Sequence, residues 1–242
     1  MEVGWAVVFD LDDTLYLEKD YVVSGFRHVA NAVSEYCDAP MQETFNFLWY
    51  GFEAGVRGDA FNRLLARYRS LATRWTVEQL VEVYRSHQPT IELLPNIQDL
   101  LSVLVKDRTR LALLTDGPVV TQSCKIAALG LTDWFNCLVL TDAWGTEYRK
   151  PHPRGFEAVM NSLGIPATNL VYIGDNPEKD FRAPREMGWG TVRLRLSEQL
   201  RCSLEPGSPD FAAEYEVGSV SELKQILFHV FALKAPRCNS IN

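Results

Sequence analysis

A chain of 242 residues, 47% of them apolar, is too long for a single small module and suits one large α/β domain or a core carrying a smaller insert. A net charge of −7 from acids spread along the chain argues against nucleic acid or an anionic membrane as a partner, so any grip on an anionic substrate has to be local. Cys37, Cys124, Cys137, Cys202 and Cys238 are odd in number and scattered, which fits a reducing, cytoplasmic setting; Met1 to Phe9 do not read as a secretory leader, and no stretch approaches membrane-spanning length.

The first apolar run, Trp5 to Phe9, predicts a buried strand that ends on Asp10. From Leu17 to Leu93 no strand pattern appears. Instead Tyr21, Val22, Phe26, Val29, Ala30, Val33 and Tyr36 recur at helical spacing, as do Phe61, Leu64, Leu65 and Tyr68. This stretch reads as a helical insert after the first strand, with Lys19, Asp20 and Pro89 as its hinges. Residues 17–93 are thus expected to form a helical unit on a core of residues 1–16 and 94–242. Within it Phe45, Phe47, Trp49, Tyr50 and Phe52 are expected as apolar core, and Arg57, Arg63 and Arg67 as solvated surface.

Beyond the insert, strands at Leu111 to Leu114, Cys137 to Leu140, Leu170 to Ile173 and Thr191 to Leu194 alternate with helical patterns. The helices run from Ile97 to Val105, from Val119 to Leu129 and from Gly155 to Leu163, the last two closed by Gly130 and Gly164. Such alternation implies an α/β fold with a doubly wound parallel sheet, here with an all-α insert. Tyr215 to Val217 add an expected peripheral strand, Leu223 to Phe231 a last helix, and residues 234–242 a frayed end.

The first four strands end in Asp10, Thr115, Thr141 and, after Gly174, Asp175. In an open parallel sheet these positions face one crevice. Asp10 and Asp12 follow a strand two residues apart and can converge on one reacting group, although acids at such a place also serve as turn or helix-cap residues. If Asp10, Asp12, Asp175 and Asp180 meet, each like-charge pair at about 4 Å costs roughly 4 kcal/mol at an effective dielectric near 20. A few such pairs rival the roughly 5 to 15 kcal/mol that hold a domain together. The cluster therefore needs a cation, a proton or both, and an all-oxygen donor set favours Mg²⁺ over Zn²⁺.

The segment Asp10-Leu11-Asp12-Asp13-Thr14 resembles the first motif of haloacid dehalogenase superfamily phosphatases. Thr115-Asp116-Gly117, Arg149-Lys150-Pro151 and Gly174-Asp175-Asn176-Pro177-Glu178-Lys179-Asp180 resemble the other three in the same order, over about Trp5 to Leu194. The resemblance implies a Rossmann-like core with a helical cap inserted after the first motif. It implies that Asp10 is the nucleophile and ligates Mg²⁺ with Asp175 and the main-chain carbonyl of Asp12. Asp12 would be the general acid and base, with a raised pKa. Thr14 would orient Asp12, and Asp180 would support the metal and lysine shell. Thr115, the main chain of Asp116 and Gly117, and Lys150 would hold the phosphoryl group. Asp116 departs from the asparagine often found there; Asp13 is expected to face the loop, and His152 and Arg154 to open a helix. The expected partner is a small phosphorylated substrate, a sugar phosphate or nucleoside monophosphate, with the protein a monomer or homodimer. A dehalogenase, a phospho-accepting receiver and a noncatalytic binding module are the rivals; Asp12 and Thr14 favour the phosphatase.

Overall fold

The computed structural model describes residues 4–34 and 40–231, so the expectations for Tyr36, Cys37, Cys238 and residues 234–242 lie outside the described residues. Six strands form one parallel sheet: β1 Ala6–Phe9, β2 Arg110–Thr115, β3 Cys137–Leu140, β4 Leu170–Gly174, β5 Gly190–Leu194 and β6 Tyr215–Val217. Their order is β3-β2-β1-β4-β5-β6, so the chain reverses its direction of travel across the sheet between β1 and β4. Phe9 pairs with Leu113 on one side and Ile173 on the other, which brings the C-terminal ends of β2, β1 and β4 to one level.

The central strands are apolar throughout because both faces are covered. Val7, Phe9, Leu111, Leu113, Val171 and Ile173 pack toward α5 (Ile97–Lys106), α6 (Val119–Ala128) and α9 (Val220–Ile226). Their neighbours Ala6, Val8, Ala112, Leu114, Leu170 and Tyr172 pack toward α7 (Arg154–Leu163) and α8 (Arg182–Glu186). The alternation is the two-residue period of a strand, and each Val, Leu, Ile or Phe side chain so buried contributes about 1.5–3 kcal/mol. The expected glycine caps of α6 and α7 are present, Gly130 and Gly164 each at φ +62°. Among the described residues, no helix is long and apolar enough to cross a membrane.

Between β1 and α5 run four helices, α1 Glu18–Val33, α2 Met41–Glu53, α3 Ala60–Arg67 and α4 Val77–Ser86, with an apolar cluster of their own. Tyr21, Val22, Phe26, Val29, Ala30 and Val33 form the buried stripe of α1. The outgoing and returning chains meet where Leu94 N–H donates to the Leu15 carbonyl at 2.8 Å. Two details differ from expectation. Lys19 and Asp20 lie inside the first turn of α1, because that helix begins at Glu18 rather than after a hinge. Of the aromatic run, Phe45 and Phe52 are buried but Tyr50 is 63% exposed, since it falls on the outer face of α2. Arg57 is exposed as expected, and its guanidinium also lies 3.8 Å over the Phe52 ring and donates to the Phe52 carbonyl at 2.6 Å.

Candidate active site

Asp10 begins the loop after β1, Asp175 the loop after β4, and Asp180 follows within the same turn. All three are buried, and each offers an oxygen within 4.8 Å of the others. Gly174 permits this approach, because a Cβ there would lie 2.5 Å from Asp180 Oδ2. Lys150 enters from the loop before α7 with Nζ 2.8 Å from Asp10 Oδ1, 2.7 Å from Asp180 Oδ1 and 2.7 Å from the Tyr172 hydroxyl. Lys179 adds a second ammonium, 3.8 Å from Asp10 Oδ2 and 3.9 Å from Asp116 Oδ2. The Arg193 guanidinium, buried on β5, donates to the Asp175 main-chain carbonyl at 2.9 Å and steadies that loop from below.

Burial pushes the pKa of Asp10 up despite the opposing pull of Lys150 and Lys179. Asp175 is pushed well up by burial and by the charges of Asp180 and Asp10. Asp180 also suffers burial, yet Lys150 and Lys179 outweigh it and hold its carboxyl below the usual range. The centre is thus short of positive charge. Asp10 Oδ1 meets the Lys150 ammonium, but Oδ2 of Asp10 and Oδ2 of Asp175 are buried and accept no hydrogen bond, whereas Asp180 is filled by Lys150 and by Asn176 N–H at 2.9 Å. Unfilled carboxylate lone pairs in an all-oxygen set fit a hard divalent cation held by Asp10 and Asp175.

Asp12, two residues from Asp10, is partnered quite differently. Its carboxylate stands outside the acid cluster and accepts from the Tyr16 hydroxyl, from Gln122 Nε2 at 2.9 Å and from Lys125 Nζ at 2.6 Å. Burial works against its charge, but Lys125 and the hydrogen bonds prevail and hold the pKa at about 2. The expectation of a raised pKa is therefore corrected. It counted neighbouring carboxylates, while the decisive charge arrives from α6, more than a hundred residues along the chain. Thr14 makes no hydrogen bond to Asp12; its hydroxyl is buried without a partner.

Thr115 closes β2, and its hydroxyl oxygen accepts from Gln122 Nε2 at 2.5 Å. The Asp116 carboxylate turns aside to the Thr141 hydroxyl at 2.7 Å and Lys150 N–H at 3.2 Å. Gly117 N–H is committed to Asp142 Oδ1 at 3.2 Å, and Arg149 clamps Asp142 from the other side at 2.6 and 2.5 Å. Asp13 does not face the loop as expected. It is buried at φ +54° and accepts from Glu18 N–H at 2.7 Å and Leu200 N–H at 2.9 Å, tying α1 to the segment after β5. Arg154 is the first residue of α7, with His152 two before it, as expected.

Tyr16, Gln122, Lys125, Tyr172 and Lys179 were not assigned from the sequence. Lys179 stood inside a quoted motif; Gln122 and Lys125 left only the weak signal of polar residues on a helix otherwise suited to packing. A cavity of about 370 Å³, lined by none of these site residues, lies between α1, α2, α3, α4 and Leu200–Arg201, walled by Phe26, Phe52 and Tyr84 and edged by Arg57, Arg85 and Arg201.

A buried aspartate at the end of a central strand of a parallel sheet, a helical insert directly after that strand and acids returning at β4 define an α/β fold with a buried acid cluster at the C-terminal edge of its sheet. The chain belongs to the haloacid dehalogenase-like hydrolases, whose sequence model matches residues 7–194. The glyceraldehyde 3-phosphate phosphatase of Methanopyrus kandleri is 28% identical over 233 residues, covering 92% of this chain and 96% of that protein. The phosphoserine phosphatase of Thermus thermophilus is 27% identical over 145 residues, 60% of this chain and 55% of that one. Among solved structures, the magnesium-bound HAD-hydrolase YfnB of Bacillus subtilis has a TM-score of 0.63 at 19% identity, covering 93% of this chain and 99% of that one. A 2-haloacid dehalogenase of Pseudomonas syringae has a TM-score of 0.62, also at 19%, covering 93% and 98%. A dehalogenase shares the fold, so the fold alone does not choose the reaction.

Proposed function

We propose that this protein is a magnesium-dependent phosphatase that hydrolyses a small phosphorylated metabolite through an aspartyl-phosphate on Asp10. The observation that carries the reading is the contrast at Asp10 and Asp12: a buried carboxylate with one oxygen on Lys150 and the other unfilled, and two residues on a second carboxylate kept apart from it by its own donors. A dehalogenase has use for the first alone. The relatives that cover nearly the whole chain and bear phosphatase names support the same choice.

In this reading an Asp10 oxygen attacks phosphorus, the bond to the leaving oxygen breaks, and Asp12 gives that oxygen a proton. Water then attacks the phosphorus of the acyl phosphate and gives its proton to Asp12, which frees phosphate and restores Asp10. Because the Asp12 carboxyl sits at about 2 without substrate, its protonated form depends on the incoming phosphoryl charge, which favours the neutral carboxyl. Thr115 and Lys150 bind phosphoryl oxygens, with Lys179 as a further cation. Asp10, Asp175 and the Asp12 main-chain carbonyl would hold Mg²⁺, which neutralises charge on the phosphoryl oxygens when bound. Residues 17–93 act as a cap on a core of residues 1–16 and 94–242, excluding water and shaping the leaving-group site. The cavity beside Arg57, Arg85 and Arg201 has the scale of a small-metabolite site.

Turnover of p-nitrophenyl phosphate with Mg²⁺, its loss in EDTA and its loss in Asp10→Asn are the expected results. Substantial turnover by a folded Asp10→Asn protein would overturn the nucleophile assignment.

A further inference from the structure

We propose that Gln122 and Lys125 of α6 are positioning residues that aim the Asp12 carboxyl at the leaving oxygen and hold it at a set distance from the Thr115 hydroxyl. The inference rests on Asp12 being the acid and base of the proposed reaction. Gln122 and Lys125 are three residues apart and so share one face of α6, the helix that starts just beyond the Thr115 strand end.

A carboxylate only accepts hydrogen bonds, so the amide nitrogen of Gln122 is the atom that faces Asp12. That nitrogen has two N–H bonds, and both are used: one on Asp12 Oδ2 at 2.9 Å, the other on Thr115 Oγ1 at 2.5 Å. A single planar group therefore spaces the proton-transfer residue from the phosphoryl-binding hydroxyl. Lys125 takes the opposite oxygen, Asp12 Oδ1, at 2.6 Å. With one oxygen held by the amide and the other by the ammonium, rotation of the carboxyl about its Cβ–Cγ bond is blocked.

Lys125 is not a surface lysine that happens to lie nearby. Its side chain is 6% exposed, and desolvating an ammonium costs several kcal/mol unless a partner offsets it. The other side of the same ammonium lies 4.3 Å from the centroid of Tyr21, on α1 of the helical insert. One turn earlier, the Thr121 hydroxyl donates to the Arg85 carbonyl near the end of α4 at 3.2 Å. The face of α6 that orients Asp12 is thus the face on which the insert rests, and the insert packs against the lysine that does the orienting.

The test uses two esters of nearly the same shape, phenyl phosphate and p-nitrophenyl phosphate. Phenol is a poor leaving group and needs the proton from Asp12, whereas p-nitrophenol departs largely without it. The ratio of their kcat/KM values reports the aim of the acid, because kcat/KM includes only the steps up to leaving-group departure. In Lys125→Met and in Gln122→Met, kcat/KM for phenyl phosphate should fall about 30- to 100-fold, and that for p-nitrophenyl phosphate no more than about threefold. Lys125→Arg, which keeps the charge, should recover part of the ratio. Equal falls for both esters in variants that melt cooperatively, or no fall at all, would overturn the inference. Should Lys125→Met fail to fold, Gln122→Met and Lys125→Arg carry the same measurement. Asp12→Asn, assayed in parallel, separates the two levels. If it leaves the ester ratio at the wild-type value, the acid assignment itself fails; if it widens the ratio while the α6 variants do not, only the positioning role fails.

Discussion

Asp10 and Asp12 are the same residue type, two positions apart on one strand end, and their surroundings make opposites of them. Asp10 is sealed among Asp175, Asp180 and Lys150 with one oxygen unfilled and a pKa raised by burial. Asp12 is crowded with donors from Tyr16, Gln122 and Lys125 and is held at about 2. Burial acts on both; what differs is the number of donors brought to each. Chemical role is therefore assigned by the elements that converge on a residue, here β4 and the α7 loop for one carboxylate and α6 for the other.

The largest effect expected from breaking this contrast is at Asp10. Asp10→Asn should lower kcat on p-nitrophenyl phosphate by a factor on the order of 10⁴ or more while the melting transition remains cooperative. Next comes Lys150, the cation that Asp10 and Asp180 share. Lys150→Met should cost about 10²- to 10³-fold in kcat and about 3–5 kcal/mol of stability, because it strands two buried carboxylates; urea unfolding measures the second quantity.

A third prediction concerns the sign of a stability change. A carboxyl whose pKa is raised on folding binds protons more tightly in the native state, so the stability it contributes is lost as pH rises above the unfolded value near 4. With Asp10 and Asp175 both raised, the metal-free protein should lose melting temperature as pH rises above about 4, and Mg²⁺ should restore it at the upper end. Asp175→Asn should melt higher than wild type without metal at pH 8 and respond less to Mg²⁺. A wild-type melting temperature that rises over this range without metal would contradict the charge balance inferred for the centre. The smallest effect belongs to Tyr16, one of three donors on Asp12. Tyr16→Phe should cost about 1 kcal/mol, seen as a several-fold fall in kcat/KM on phenyl phosphate.

The strands and the helices around them were legible because their signals are local. Val7, Val8 and Phe9 form an apolar run that only a strand covered on both faces accommodates, and Gly130 and Gly164 mark helix ends by a backbone conformation that glycine adopts without strain. The stripe from Tyr21 to Val33 carried its helix in the same way. Lys19 and Asp20 were misread because polar residues suit both a hinge and the first turn of a helix. Asp13 was misread because nothing in a run of acids shows which one will meet Leu200 N–H nearly two hundred residues later.

By itself, the sequence determined an α/β chain with an all-helical insert after its first strand, and a set of acids, a hydroxyl and a lysine at strand ends. Periodicity and strand-end chemistry are properties of neighbouring residues. The strand order β3-β2-β1-β4-β5-β6 was decided only by the tertiary structure, and it seats Asp10 between Thr115 and Asp175. So was the division between a sparsely partnered Asp10 and a cradled Asp12. Electrostatic character depends on which charges come within a few ångströms, and Lys125 and Lys150 reach their carboxylates only once the sheet has assembled.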